Sequence, residues 1–192
     1  KKWKTTAEEL LFNTNLPKSL GTSKKSSFAI DGNADQATVM ATAFGQGKTI
    51  VSPAHMLLLT SAIANDGVLM EPTLVDSIRS ADSSVTKTID KTKYKTLMSK
   101  EEASVMQSLM RSVVTEGTAT KLHTDAYTAY GKTGSAEYET GSKDTHSWFV
   151  GYCNVNGRKL AIAVIAEGQG YGSSYAVPVA KKVFDTFSTL EN

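Results

Sequence analysis

The chain has 192 residues, a length typical of one domain or of one domain with part of another. Hydrophobic residues make up 40% and charged residues 21%, which indicates a folded chain and not a disordered one. The net charge of +2 argues against a dedicated nucleic-acid binder, and the single cysteine, Cys153, excludes an internal disulfide. No apolar run is long enough for a membrane span, and the basic start, Lys1 to Lys4, lacks the apolar region that a signal peptide needs.

The first third of the chain carries weak structural signals until residue 52. Ala7 to Phe12 follows a short helical pattern, but residues 1–35 have no evident core, so we expect them to pack on a segment that this chain lacks. Ser52 and Pro53 open the next helix, because serine caps helix N-termini and proline suits a first turn whose N–H groups are unpaired in any case. Gly67 ends that helix as a left-handed cap.

The middle of the chain predicts a hairpin followed by a capped helix. Thr73–Ile78 and Val85–Ile89 are extended patterns around a polar loop, and Asp90–Thr96 is charged and solvated. Ser99 and Glu102 form a capping box, in which each side chain binds the backbone N–H of the other residue. Behind this box an apolar stripe recurs at spacings of three and four, and we expect it to be buried. The stripe comprises Val105, Met106, Leu109, Met110, Val113 and Val114.

The last third predicts three antiparallel strands and a returning helix. The strands are expected at Tyr127–Glu137, Ser147–Cys153 and Lys159–Ala166, and the Asn156-Gly157 pair favours a type I′ hairpin turn before the last strand. That strand is apolar on both faces, which predicts a central position covered on both sides. A helix over Ala176–Leu190 would pack on it. The expected fold is therefore α+β, an antiparallel sheet with helices packed on its faces.

Two Gly-Lys-Thr triplets, Gly47–Thr49 and Gly131–Thr133, suggest a nucleotide site at first sight. A phosphate-binding P-loop needs a second glycine five positions before the first residue of each triplet. Those positions hold Thr42 and Ala126, so neither triplet satisfies the motif.

The glycine-rich stretch Gly168 to Gly172 also fails as a dinucleotide fingerprint, because the third glycine position holds Ser173 and no second βα unit follows. We interpret the stretch as a flexible connection into the last helix. The three histidines share no metal-ligand spacing, and each is interpreted as a packed or solvated residue. They are His55, His123 and His146.

The K-T-G-S run over residues 132–135 is the most informative short motif. Lys132 would place an ammonium beside an active-site hydroxyl, which favours deprotonation of that hydroxyl and attracts an anionic substrate. Gly134 lets a substrate backbone approach the strand edge, while Thr133 and Ser135 offer hydroxyls to a carboxylate. The Ser135 N–H is a candidate oxyanion donor, and one such donor is worth about 2.7–4 kcal/mol in a transition state. Alone, the triplet is also compatible with chance and with a non-catalytic interaction domain.

Further segments around this motif make a specific pattern. Each is short, but they follow one another in a fixed order along most of the chain. Together they resemble class B penicillin-binding proteins, in which the same motifs occur in the same order. The segments are Phe44 to Gly47 with Ser52-Pro53, Ala62 to Gly67 with Pro72, Val113 to Ala119, Gly131 to Glu137, and Ser147 to Tyr152.

The resemblance implies an incomplete penicillin-binding/serine β-lactamase-like transpeptidase fold and a part in peptidoglycan cross-linking. In that family a serine attacks a D-Ala-D-Ala stem peptide, releases D-alanine and passes the acyl group to an amine, and β-lactams acylate the same serine. No metal or organic cofactor is implied. A D,D-carboxypeptidase and a β-lactam sensor domain remain alternatives. The resemblance implies that Lys132 and Ser135 are catalytic and that Thr133, Gly134, Ser135 and Glu137 bind substrate.

The family also needs an S-x-x-K nucleophile and an S-x-N motif, both earlier in the chain than K-T-G. This chain has no S-x-N, and its single S-x-x-K, Ser84 to Lys87, lies in the predicted hairpin, so we interpret it as a coincidence. We therefore expect residues 1–192 to be the C-terminal portion of a transpeptidase domain, inactive alone. Its expected partners are the missing N-terminal part of the same chain, stem peptide and β-lactams, and not nucleic acid.

The parent protein is expected at the outer face of the cytoplasmic membrane, anchored by a segment outside this chain, whereas residues 1–192 themselves are expected to be soluble. Glu137 is interpreted either as a ligand neighbour or as a solvated carboxylate at a strand end. Trp148 and Phe149 are expected to serve packing and not ligand contact. Gln46 is a candidate for positioning the helix that follows it.

Overall fold

The computed structural model describes residues 2–20, 24–138 and 144–191. Within these ranges, none of the helices combines the length and apolar character needed to cross a bilayer. The helices are α1 (Lys2–Glu9), α2 (Gln36–Ala43), α3 (Pro53–Ala64), α4 (Lys100–Thr115) and α5 (Ala176–Glu191), with 3₁₀ turns at Lys18–Leu20 and Thr120–Leu122. The strands are β1 (Val68–Met70), β2 (Ser77–Arg79), β3 (Val85–Thr88), β4 (Lys93–Thr96), β5 (Thr128–Glu137), β6 (Thr145–Val155) and β7 (Arg158–Ala166).

The main sheet has the order β5-β6-β7 and is antiparallel throughout. The turn between β6 and β7 confirms the predicted hairpin, because Asn156 and Gly157 both adopt positive φ, 50° and 88°. The predicted α+β class is therefore confirmed, with three antiparallel strands and a returning helix where the sequence pattern indicated them.

Two small sheets accompany the main one. β2 pairs with β3, which confirms the predicted hairpin in a shorter form. β1 pairs with β4, and neither strand was predicted from the sequence. The side chains of Lys93–Thr96 are exposed as expected for a solvated stretch, but their backbone forms a ladder with a segment more than twenty residues earlier. A strand whose side chains are solvated carries little hydrophobic pattern, so its pairing partner decides its conformation.

The predicted helix caps are present. The Ser52 side chain accepts a hydrogen bond from the His55 N–H at the start of α3, and Gly67 adopts φ 87° after its end. At α4 the reciprocal capping box of Ser99 and Glu102 is formed. These elements start where predicted because a cap depends on residues three positions apart.

The N-terminal region has more of a core than expected. The predicted helix at Ala7 to Phe12 lies earlier, at α1, and two leucines that follow are buried within this chain. The expectation that residues 1–35 pack only on an absent segment is therefore wrong for these leucines. Their cluster comprises Leu11, Leu16, Leu58, Ala62, Leu69 and Leu97.

α5 packs on one face of the main sheet and covers the central strand β6 there. The β6 residues on this face are buried, and Phe149 packs edge-to-face on Phe184 of α5 with ring centroids 6.4 Å apart. Phe149 therefore serves packing, as predicted. Burial raises the pKa of the Cys153 thiol on this face to about 11, so the thiol is protonated at neutral pH and unsuited to nucleophilic attack. The cluster also contains Ala129, Val155, Ala176, Val177 and Ala180.

The opposite face is covered by α3 and α4 only in part. Tyr152 is buried there against Met110, but Trp148 and Val150 of the same face are only half-buried. On α4, Val105 and Leu109 are 61% and 60% exposed. The prediction of a fully buried α4 stripe is therefore wrong, because nothing in the described chain covers its outer half.

β7 also departs from the prediction. It lies at an edge of the described sheet and not at its centre, and residues 160–166 are half-buried instead of covered on both sides. An apolar pattern on two faces predicts that both faces of a strand favour burial. It does not predict whether the strand lies at the edge or the centre of a sheet, because that depends on the other segments present.

Candidate active site

The edge of β5 that faces away from β6 is the framework of the candidate site. In a β-strand, alternate residues direct their N–H and C=O groups to opposite edges. The carbonyls of Ala129, Thr133 and Ser135 all accept hydrogen bonds from side chains and not from β6. The unpaired edge therefore carries the backbone groups of the odd-numbered residues. The Ser135 N–H shares this edge with its carbonyl, where an extended peptide is able to pair with both.

Lys132 points to the half-covered face of the sheet, because its register partner Val150 and the neighbouring Trp148 occupy that face. Its side chain is exposed, and Nζ donates to the Thr133 carbonyl at 2.6 Å. An ammonium has three N–H donors, so this bond leaves it able to donate to a ligand as well. The active-site hydroxyl expected beside Lys132 stays a prediction.

Thr133 and Ser135 lie on the opposite face, the face covered by α5. The Thr133 Oγ1 is 2.6 Å from the Oγ1 of Thr118, which lies just after α4. The Ser135 Oγ accepts the Gly172 N–H at 3.3 Å. Because this bond uses Ser135 as an acceptor, its own hydroxyl proton stays available to an incoming acceptor such as a carboxylate.

Gly172 brings the loop before α5 against the K-T-G strand. A Cβ atom at this position would lie 2.5 Å from the Trp148 carbonyl oxygen and 2.7 Å from the Gly134 carbonyl oxygen. Only glycine permits so close an approach of two backbones. The stretch from Gly168 to Gly172, interpreted from sequence as a flexible connection, thus supports the strand that carries the candidate residues.

Gln46, a candidate for positioning the helix that follows it, instead contacts β5. Its Nε2 donates to the Ser135 carbonyl at 3.4 Å, across 89 residues of sequence. Gly45 and Gly47 on either side adopt positive φ of 82° and 76°, so the loop presents the amide to the strand edge. The G-Q-G motif signalled this position, but nothing in the sequence indicated its partner.

These groups line a cleft of about 250 Å³ between the β5 edge and the loop after α2. Trp148 forms part of the wall together with Phe44, which is 73% exposed. Trp148 therefore borders the candidate site instead of serving packing alone. Among the described residues of the lining, Lys132 is the one that carries a charge, so the cleft favours an anionic ligand.

A second, apolar groove of about 610 Å³ adjoins the cleft. Lys132 and Val150 line both cavities, and the groove continues along α3 and α4. Its walls are almost entirely hydrocarbon and include Leu59, Ile63 and the exposed Leu109. The cleft and the groove therefore share Lys132 and Val150 as a common boundary.

The remaining candidates lie elsewhere or stay open. Glu137 is exposed at the end of β5, opposite Thr145 in β6, and this position fits either of its two interpretations. Ser84 lies at the turn into β3, where its hydroxyl binds Asp82, and Lys87 follows on a strand and not on a helix. Within the described ranges, no three His, Cys, Asp or Glu side chains are grouped closely enough to hold a metal ion.

Comparison with known proteins shows to which family this chain belongs. The sequence model of the penicillin-binding protein transpeptidase domain matches residues 4–185. Penicillin-binding protein 3 of Bacillus subtilis is 32% identical over 170 residues, which cover 85% of this chain and 24% of that protein. The peptidoglycan D,D-transpeptidase PbpA of Mycolicibacterium smegmatis is 27% identical over 154 residues. The match covers 77% of this chain and 31% of the length of that protein.

Solved structures show the same fold. Penicillin-binding protein A of M. tuberculosis, as an imipenem acyl-enzyme complex, superposes with a TM-score of 0.80 at 22% identity, covering 97% of this chain and 41% of that chain. The D,D-transpeptidase domain of a peptidoglycan glycosyltransferase from Eggerthella lenta gives a TM-score of 0.75 at 26% identity and is covered to 48%. The chain thus spans less than half the length of these relatives, and the resemblance to class B proteins is confirmed.

Proposed function

Because this chain belongs to the penicillin-binding protein transpeptidase domain family, we propose that it forms the substrate-binding half of a serine-type D-Ala-D-Ala transpeptidase. Residues 1–192 would be the C-terminal portion of that domain, and the serine would come from another part of the same protein. The observation that carries the proposal is the unpaired β5 edge, where Lys132, the Ser135 N–H and two hydroxyls surround one anion-favouring cleft.

The geometry suggests a role for each group on this edge. The peptide tail would pair with the backbone of Ser135, and the same N–H would stabilise the oxyanion formed when the serine attacks. The Lys132 ammonium would favour the deprotonated serine and attract the terminal carboxylate, which the Thr133 and Ser135 hydroxyls would bind. Gly134 would keep the edge clear for the substrate. Collapse of the intermediate would release D-alanine and leave an acyl-serine, which an acceptor amine then cleaves.

The apolar groove supports the assignment of the nucleophile to an absent segment. Its hydrocarbon walls end at Lys132, so a segment packed there would carry its own side chains to the ammonium. Ser84, the alternative nucleophile, is exposed on a hairpin turn and hydrogen-bonded to Asp82. These contacts favour a structural role for Ser84, which agrees with the interpretation of its S-x-x-K match as a coincidence.

The bound partners in this proposal are the peptidoglycan stem peptide and β-lactams. The M. tuberculosis relative forms an imipenem acyl-enzyme complex, which supports β-lactam binding by this chain through likeness of family and fold. Stem peptides are built into the wall outside the cytoplasmic membrane, so the parent protein would act at its outer face. A D,D-carboxypeptidase would use the same edge with water as the acceptor, and the acceptor specificity of the purified parent protein separates the two.

Fluorescent penicillin tests the proposal in the whole protein. Lys132→Ala is expected to reduce the second-order acylation rate by about 10²–10⁴-fold, the range for loss of a group that assists proton transfer. Lys182→Ala is a matched control, because Lys182 is also exposed but lies on α5, away from the residues that line the cleft. Unchanged acylation in Lys132→Ala would contradict the proposed site.

Intact-mass measurement tests the division of the site between segments. The 192-residue chain alone is expected to form no covalent adduct with penicillin, whereas the whole protein forms one. A stoichiometric adduct on Ser84 of the short chain would show that the nucleophile lies within these residues.

A further inference from the structure

We propose that Thr118 is a positioning residue for substrate carboxylate recognition, because its hydroxyl is 2.6 Å from that of Thr133 and sets the direction of the Thr133 proton. This inference rests on the proposed function, in which Thr133 binds the terminal carboxylate of the stem peptide or of a β-lactam. Thr118 itself is not required to touch the ligand.

The position of Thr118 is determined by the backbone around it. The N–H of Ala119 donates to the Val113 carbonyl at 3.0 Å, and Ala119 is fully buried, so the chain is held immediately after Thr118. Arg111 of α4 donates to the Ala129 carbonyl at 2.9 Å and binds the helix to the edge of β5. The threonine is therefore presented to β5 by a fixed helix end, although its own side chain is exposed.

The chemistry follows from the number of protons. Each hydroxyl has one proton, so in the pair one hydroxyl donates and the other accepts. If Thr133 donates to Thr118, Thr133 has no proton left for a carboxylate. If Thr118 donates, the Thr133 proton is free and its hydroxyl is polarised for donation to the anion. A bound carboxylate therefore selects the direction from Thr118 to Thr133 to the ligand.

The same arrangement distinguishes Thr133 from Ser135. The Ser135 oxygen accepts the Gly172 N–H, a backbone donor that has no alternative direction, so this bond never uses the Ser135 proton. Thr133 obtains the equivalent donor from a side chain. Each of the two carboxylate-binding hydroxyls thus has a neighbouring hydrogen-bond donor. The donor to Thr133 is a side chain, so a substitution at Thr118 removes it without altering the strand. The donor to Ser135 is a backbone N–H, which a substitution does not remove.

The test compares two ligands in the whole protein, benzylpenicillin and its methyl ester, which lacks the carboxylate. Thr118→Ala and Thr118→Ser differ by one oxygen, so their comparison isolates the hydroxyl. Thr118→Ala is expected to lower the acylation rate with benzylpenicillin about tenfold, chiefly in the binding step, and to leave the rate with the ester unchanged. Thr118→Ser is expected to keep the original preference. Thr115→Val is the control, because the Thr115 hydroxyl binds helix carbonyls of α4.

Equal losses with both ligands in Thr118→Ala, or no recovery in Thr118→Ser, would assign Thr118 a merely structural role and overturn the inference. Thr133→Val separates this failure from failure of the proposed function. If Thr133→Val removes the carboxylate preference while Thr118→Ala retains it, only the inference is wrong. If neither variant alters the preference, the carboxylate site itself is wrong, and the inference falls with it.

Discussion

The two faces of the β5–β6–β7 sheet differ in how completely this chain covers them. On the face under α5, Ser147, Phe149 and Cys153 of β6 are all fully buried. On the other face, Trp148 and Val150 of the same strand are only half-buried, although they alternate with those buried residues. Strand β6 thus has one buried face and one face that is only half-buried.

The difference teaches how the candidate site is built. The covered face gives β5 and β6 a rigid support, and the loop at Gly172 and the end of α4 hold the hydroxyls of Ser135 and Thr133 from that side. The half-covered face carries Lys132 and the apolar groove, where a further segment has room to pack. Lys132 and the groove therefore lie on one side of β5, whereas the two hydroxyls and the contacts that hold them lie on the other.

The largest effect on stability is expected on the covered face. Phe184 is fully buried and packs edge-to-face on both Phe149 and Tyr127. Phe184→Ala is therefore expected to lower the free energy of unfolding of the whole protein by about 3–5 kcal/mol, measured by urea denaturation. Val179→Ala on the same helix is the control, because Val179 is 47% exposed. Similar small losses in both variants would contradict the contrast between the faces.

A smaller but more informative effect is expected on the half-covered face. Leu109 is 60% exposed, and truncation of such a side chain usually changes stability by about 0.5 kcal/mol or less. If an absent segment fills the groove, Leu109→Ala in the whole protein is expected to cost about 2–5 kcal/mol, as for a buried leucine. Leu190→Ala provides the comparison, since Leu190 is 77% exposed and lies outside the groove. A negligible loss for Leu109→Ala would indicate that the groove stays open.

The smallest effect concerns the pH dependence of stability at the start of α3. His55 of α3 is buried, and its Nε2 lies 2.7 Å from the Leu10 carbonyl. Burial lowers the pKa of His55, an effect that the hydrogen bond to Leu10 opposes in part. The unfolded chain then binds the proton more readily, so the stability from neutral His55 is complete above its unfolded pKa near 6.5 and is lost as the pH falls towards the lower folded value.

Thermal unfolding between about pH 7.5 and 5 measures this dependence. His55→Gln keeps an N–H donor for Leu10 but does not titrate, so it is expected to reduce the decline in melting temperature. His123→Gln is the control, because His123 is exposed. An unchanged decline in His55→Gln would assign the pH dependence to other groups.

The sequence predicted much of the fold and named the central residues of the candidate site. The caps at Ser52 and Ser99 and the turn at Asn156-Gly157 lie where predicted, since each depends on residues a few positions apart. The K-T-G-S run was recognisable because it occurs among ordered neighbouring motifs. The contacts that Thr118 and Gln46 make to this run were not predictable. Thr118 is 15 residues from Thr133, and Gln46 is 89 residues from Ser135.

The sequence by itself determined the capped helices, the strands of the main sheet and their apolar faces, because these follow from local periodicity and side-chain chemistry. Only the tertiary structure decided which apolar faces are covered, which edge of β5 is open and which hydroxyls meet across it. Those features depend on contacts between segments that are distant in sequence. Leu109 and Val150 show this, because their apolar patterns predict burial but do not indicate which segment would cover them.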